Sequence, residues 1–184
     1  MVRLAWRLQR GGLIAIGGFA AVVAFVQVSG YTAVAGSTPV ARHAFGMQMS
    51  VLGRQLSYLL PPPLHPDTVG GYLQWRLYGL MAIVVAVWAV LAAAGAARGD
   101  EARGLVDSQL AAGVSRAWMI GARIFTFAGA VTVMAAVTAA FGGLGAVTGH
   151  EPISFAGLIW EGGNVVALAT CLYTLCLLVV QLIP

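Results

Sequence analysis

Four stretches of the chain hold no Asp, Glu, Lys or Arg, at 11–41, 77–97, 124–149 and 162–184. Each can supply the roughly 20 apolar residues that carry a helix across the ~30 Å hydrocarbon core of a bilayer. The pattern predicts an all-α integral membrane fold, a single transmembrane domain over 1–184 with spans near 13–33, 77–97, 122–146 and 165–182.

Between the first two spans, over 34–76, the pattern changes. Val40, Ala44, Met47, Val51 and Leu52, then Leu56, Leu59 and Leu60, recur at helical spacing. That spacing predicts an amphipathic helix over 40–60, lying on the membrane or capping the bundle. Pro61, Pro62 and Pro63 end it, because proline lacks the amide donor and restricts the residue before it. Asp67 or Thr68 is placed to cap the following helix.

The segment 98–121, between the second and third spans, carries the densest charge. Asp100 and Glu101 favour the positive end of a short helix; Ala102, Leu105, Val106 and Leu110 give it one apolar stripe, and Gly113 ends it. Ser115 then caps the third span. A short surface helix with one apolar side is suited to docking into a groove of a partner.

Composition decides the solvent. Hydrophobic residues make up 60% of the chain and charged residues only 9%, against about 25% charged in a soluble domain, which excludes a water-soluble protein. All ten basic residues are arginine. Arg3, Arg7 and Arg10 precede the first span, and Arg98, Arg103, Arg116 and Arg123 flank the segment between the second and third. Arg42, Arg54 and Arg76 fall on the other side. The positive-inside rule then places both termini in the cytoplasm, with 34–76 and the loop 149–161 outside. Trp6, Arg7, Arg10, Tyr72, Trp75, Arg76, Arg98 and Arg123 sit at predicted membrane interfaces, where aromatic rings and arginines anchor helices.

The absence of lysine removes phosphate-binding loops, kinases and Schiff-base enzymes. Any ATP must therefore be bound by another chain. Cys171 and Cys176 read as packing residues. His65 with Asp67, and His150 with Glu151, invite a metal site or an intramembrane enzyme, but neither pair has a third ligand nearby in sequence; no metal is expected. The arginines form no stripe for nucleic acid. No charged side chain falls near the middle of a predicted span. Gln27, Thr132, Thr138 and Thr170 have two readings, polar groups facing a cavity or, as the expected one, side chains satisfied within their own helices. Small residues recur at every fourth position in runs, Ala82 and Ala86 and then Ala89, Ala93 and Ala97 in the second span, and Ala128, Thr132, Ala136 and Ala140 in the third. Gly145 and Gly149 add a G-x-x-x-G pair, a pattern that lets helices approach closely in lipid.

The string Asp100, Glu101, Gly104, Leu105, Asp107, Leu110, Gly113, Val114, Ser115, Arg116 resembles the first cytoplasmic loop of permease subunits of ABC exporters, in the type-2 permease family. The stretch 67–76 resembles the approach to the second span in the multidrug and polyketide-antibiotic exporter branch. The resemblance implies a coupling helix in which Asp100, Glu101, Gly104, Leu105, Val106, Asp107, Leu110, Gly113, Ser115 and Arg116 dock into a separate ATPase subunit. Two copies of that subunit would hold ATP and magnesium, while this chain carries no cofactor and no catalytic residue. The spans would line a path for a hydrophobic or amphipathic drug, antibiotic or lipid across a bacterial plasma membrane. A second permease half or a second copy would complete the path. Family permeases have six spans per half, some having twelve in one chain, so four spans imply the N-terminal part of a longer permease. The alternative is a small structural or accessory membrane protein that oligomerises through its small-residue faces.

Overall fold

A computed structural model describes Trp6, residues 9–96, Gly104, Ala111 and residues 113–182. Every regular element among the described residues is helical. We number the helices α1 (Gln9–Ser29), α2 (Tyr31–Ala35), α3 (Pro39–Gln55), α4 (Val69–Ala94), α5 (Arg116–Gly149) and α6 (Phe155–Leu182). Of these, α1, α4, α5 and α6 are long and apolar enough to cross a membrane, the pattern of a multi-pass membrane protein. Short π-helical turns interrupt α1 at Leu13–Gly17 and α4 at Gln74–Tyr78.

Side-chain caps set several boundaries away from those expected. The helix of the second span begins at Val69 rather than near 77, because the Thr68 hydroxyl accepts the Gly71 amide at 3.1 Å. The helix of the fourth span begins at Phe155 rather than near 165, where Ser154 Oγ accepts the Gly157 amide at 3.2 Å. That start draws Glu161 out of the expected loop and into a helix. The Ser115 cap is as expected, its hydroxyl accepting the Trp118 amide at 3.3 Å. From there α5 runs for 34 residues, about 50 Å at 1.5 Å per residue. It outreaches the ~30 Å hydrocarbon core and must tilt or project beyond it.

Helix α5 is packed on α1 and α6, and α4 packs on α6. The contact with α1 depends on the glycine pair. A Cβ at Gly145 would lie 2.8 Å from the Phe25 carbonyl oxygen, and one at Gly149 would lie 2.9 Å from Ser29 Cα. In the middle of the bundle, Trp88 meets Phe127 at 5.1 Å between ring centroids, and Phe127 stacks on Tyr173 at 4.1 Å. This ladder of rings ties α4, α5 and α6 together. The buried stripe of α4 is Met81, Val85, Ala89 and Ala93. In α5 the small-residue stripe faces away from the core, with Thr132, Ala136 and Ala140 exposed.

Helix α3 caps one end of the bundle with a face other than the expected one. It stops at Gln55, and Phe45, Gly46 and Gly53 are its buried residues. The glycines let it lie directly on the proline-rich connection, since a Cβ at Gly53 would overlap Pro63 and one at Gly46 would press on Asp67. Val40, Met47 and Val51 are exposed instead.

Candidate functional site

Two ends of the bundle carry the polar chemistry. At one end, Gly30 breaks α1 and the chain turns into α2, where Tyr31 is buried against Phe45 and Tyr72, with ring centroids 6.1 and 5.6 Å away. The Arg42 guanidinium lies 5.2 Å over the Tyr31 ring. Its nitrogens reach both oxygens of Glu151, at 2.7 and 3.1 Å, while Nε donates to the Gly36 carbonyl at 3.2 Å. The Thr32 hydroxyl also donates to Glu151. One carboxylate from the α5–α6 loop thus holds α2 and α3 through charge-assisted hydrogen bonds. Tyr31 lies two residues beyond the end of α1, whose stretch able to cross a membrane stops at Ser29 rather than near 33. Burial pushes its phenol up to about 12, an effect the Arg42 charge opposes.

At the opposite end, Gly104 and Gly113 adopt left-handed conformations, φ +65° and +78°, which glycine reaches without steric cost. The short helix expected to end at Gly113 falls mostly outside the described residues. Ser115 and Arg116 open α5. Asp100, Glu101, Leu105, Val106, Asp107 and Leu110 lie outside the described residues, as do Arg7 and Arg98. Among the expected interface anchors, Trp6 and Arg10 are exposed. Tyr72 and Trp75 are buried within the chain, and the Trp75 indole donates to the Pro61 carbonyl at 2.9 Å. Arg76 lies 5.8 Å over the Tyr72 ring, and Arg123 is half-buried.

Along the bundle, a lateral groove of about 570 Å³ runs between α5 and α6, lined among others by Ala128, Thr132, Ala136, Gly162, Val166 and Thr170. Its floor is apolar because the outward small-residue stripe of α5 faces the glycines of α6. Thr132 and Thr138 donate to the Ala128 and Met134 carbonyls four residues back, at 2.8 and 2.9 Å, as expected. Thr170 Oγ1 and Gln27 Oε1 depart from that expectation, being buried without a hydrogen-bond partner among the described residues.

The isolated histidines are backbone features. His65 and His150 have φ of 47° and 54°, and His150 ends α5. Among the described residues, no group of three or more His, Cys, Asp or Glu could hold a metal ion. Sequence spacing did not expose the pairing of Arg42 with Glu151, 109 residues apart, nor that of Gln74 with Glu161 at 2.9 Å. The one available signal was an acid and an arginine in segments predicted to share a membrane side. No protein-family model, curated protein or solved structure matches the chain.

Proposed function

We propose that the chain is the membrane-spanning subunit of an ATP-driven ABC exporter in a bacterial plasma membrane, without catalytic activity of its own. The observation that carries this is the string 100–116, whose residues resemble the coupling loop of type-2 permeases. It connects α4 to α5 at the end of the bundle opposite the Arg42–Glu151 clasp. The arginines gather at that end, which the positive-inside rule makes cytoplasmic. Helix α3 then lies outside, its exposed Val40, Met47 and Val51 at the membrane interface.

In this arrangement two ATPase subunits close on ATP and push the docking segment. Helix α5 is continuous from Arg116 to Gly149, so it carries the push to the far face as a rigid element, taking α1 with it through Gly145 and Gly149. The groove between α5 and α6 changes width and offers a path to a hydrophobic or amphipathic substrate.

The outward small-residue stripe favours a second reading, a small accessory membrane protein that self-associates through the groove. Purification separates the two. An exporter subunit coexpressed with its ATPase carries ATP hydrolysis through purification and loses it in Leu105→Asp and in Glu101→Arg. Retention of the ATPase by both variants would overturn the coupling assignment.

A further inference from the structure

Glu161 lies in the second turn of α6, within the helix stretch able to cross a membrane, Phe155–Val180. Ionisable side chains in such helices are rare and mark sites more often than they serve packing. Glu161 makes no ion pair among the described residues, whereas Glu151 is fully engaged by Arg42. The partner of Glu161 is a neutral amide: Gln74 Nε2 donates to its Oε1 at 2.9 Å. Gln74 opens the π-helical turn Gln74–Tyr78 of α4, and such turns inside α-helices occur frequently at functional sites. Leu73, Gln74, Tyr78, Ser154, Leu158 and Glu161 are among the residues around a cavity of about 180 Å³ that no arginine lines.

The polar atoms of this cavity select the sign and type of ligand. Gln74 spends one of its two N–H groups on the carboxylate, and its carbonyl oxygen remains an acceptor. Glu161 retains Oε2. Ser154 Oγ accepts the Gly157 amide at 3.2 Å and keeps a further lone pair. The cavity is therefore rich in acceptors and negative, with apolar walls from Leu73 and Leu158. An anion would meet the carboxylate. A divalent cation would find one carboxylate where it needs six or more oxygens. An alkylammonium supplies three N–H donors, a compensating charge and a chain for the apolar wall.

We propose that the Gln74–Glu161 cavity binds a protonated primary amine on an apolar chain, from either a free amphipathic amine or a lipid ammonium headgroup. The site is independent of the export assignment, since binding is measured on the chain alone without ATP or an ATPase.

The test is equilibrium binding of octylammonium and of octanol to the chain in phosphatidylcholine nanodiscs, corrected with empty discs. The native chain is expected to bind octylammonium at least about tenfold more tightly than octanol, equivalent to ~1.4 kcal/mol. Glu161→Gln is expected to abolish that preference while leaving octanol binding in place. Equal binding of amine and alcohol by the native chain, or an undiminished preference in Glu161→Gln, would overturn the proposal. If the variant loses octanol as well, the native preference alone decides, its presence supporting the site and its absence refuting it. In discs containing phosphatidylethanolamine, a weakened octylammonium affinity identifies the headgroup as the natural source, and an unchanged affinity identifies a free amine.

Discussion

Arg42 and Glu151, 109 residues apart in sequence, meet at 2.7 Å, with the carboxylate side chain 2% exposed and the guanidinium 27% exposed. The pair closes one end of the bundle by joining the segment after α1 to the loop after α5. Its cost of desolvation is offset by the Thr32 hydroxyl, the Gly36 carbonyl and the Tyr31 ring face.

Removing one partner leaves the other unpaired. Glu151→Ala should destabilise the chain by about 2 kcal/mol, below the 3–5 kcal/mol of a fully buried pair because Arg42 retains some solvent. Thermal unfolding in detergent measures this. The double variant Arg42→Met/Glu151→Met should lose less than the sum of Arg42→Met and Glu151→Met measured singly. Strict additivity would mean that the two side chains do not act as a pair.

Tyr31 gives the cap an alkaline limit. Its phenol stays protonated to about 12 in the folded chain, against 10.0 for an ordinary tyrosine. Between those values the unfolded chain binds fewer protons than the native one, so stability falls as pH rises, by at most about 1.4 kcal/mol per pH unit from this group. Below pH 10 the group contributes no slope. Tyr31→Phe keeps the ring and should flatten unfolding curves compared at pH 9 and pH 11; an unchanged slope would assign the alkaline loss to other groups.

Close contact between α1 and α5 makes position 149 intolerant. Gly149→Ala puts a methyl 2.9 Å from Ser29 Cα, so the helices must part, at a cost of about 1–3 kcal/mol. Gly129→Ala on the same helix meets nothing within 4 Å and should be neutral or slightly stabilising through helix propensity. Equal effects at the two positions, read from unfolding midpoints, would contradict the packing described for α1 and α5.

Thr170 Oγ1 is buried without a partner among the described residues. Thr170→Val replaces an unsatisfied hydroxyl with a methyl of similar size and should stabilise the chain by about 1 kcal/mol. Thr138→Val, whose hydroxyl already donates to the Met134 carbonyl, should change the unfolding midpoint less.

The charge-free runs located all four long helices, because one lipid-facing helix needs no information from elsewhere in the chain. The caps at Thr68 and Ser115 were legible for the same reason, each being a contact three residues long. Boundaries were harder. The residues before 165 look like loop, with Ser154, Glu161 and several glycines, and the Gln74 amide that donates to Glu161 comes from another helix, out of reach of local pattern. The amphipathic stripe of α3 does not show how the helix packs on the bundle: Val40, Met47 and Val51 are exposed, and the buried face is made by Phe45 and two glycines. Periodicity finds where apolar side chains gather, but glycines that admit another segment leave no hydrophobic signal. The shared outer side of 34–76 and 149–161 was legible, but not the pairing of Arg42 with Glu151 or of Gln74 with Glu161, because each depends on how the helices pack.

The central claim is that the segment between α4 and α5 docks on an ATPase. A photocrosslinking residue placed at Leu105 in cells, with a second placed at Val40 as the control, tests it directly. We expect Leu105 to capture a chain that binds ATP, and Val40 to capture none. Crosslinks from Leu105 only to further copies of this chain would contradict the claim and establish self-association in its place.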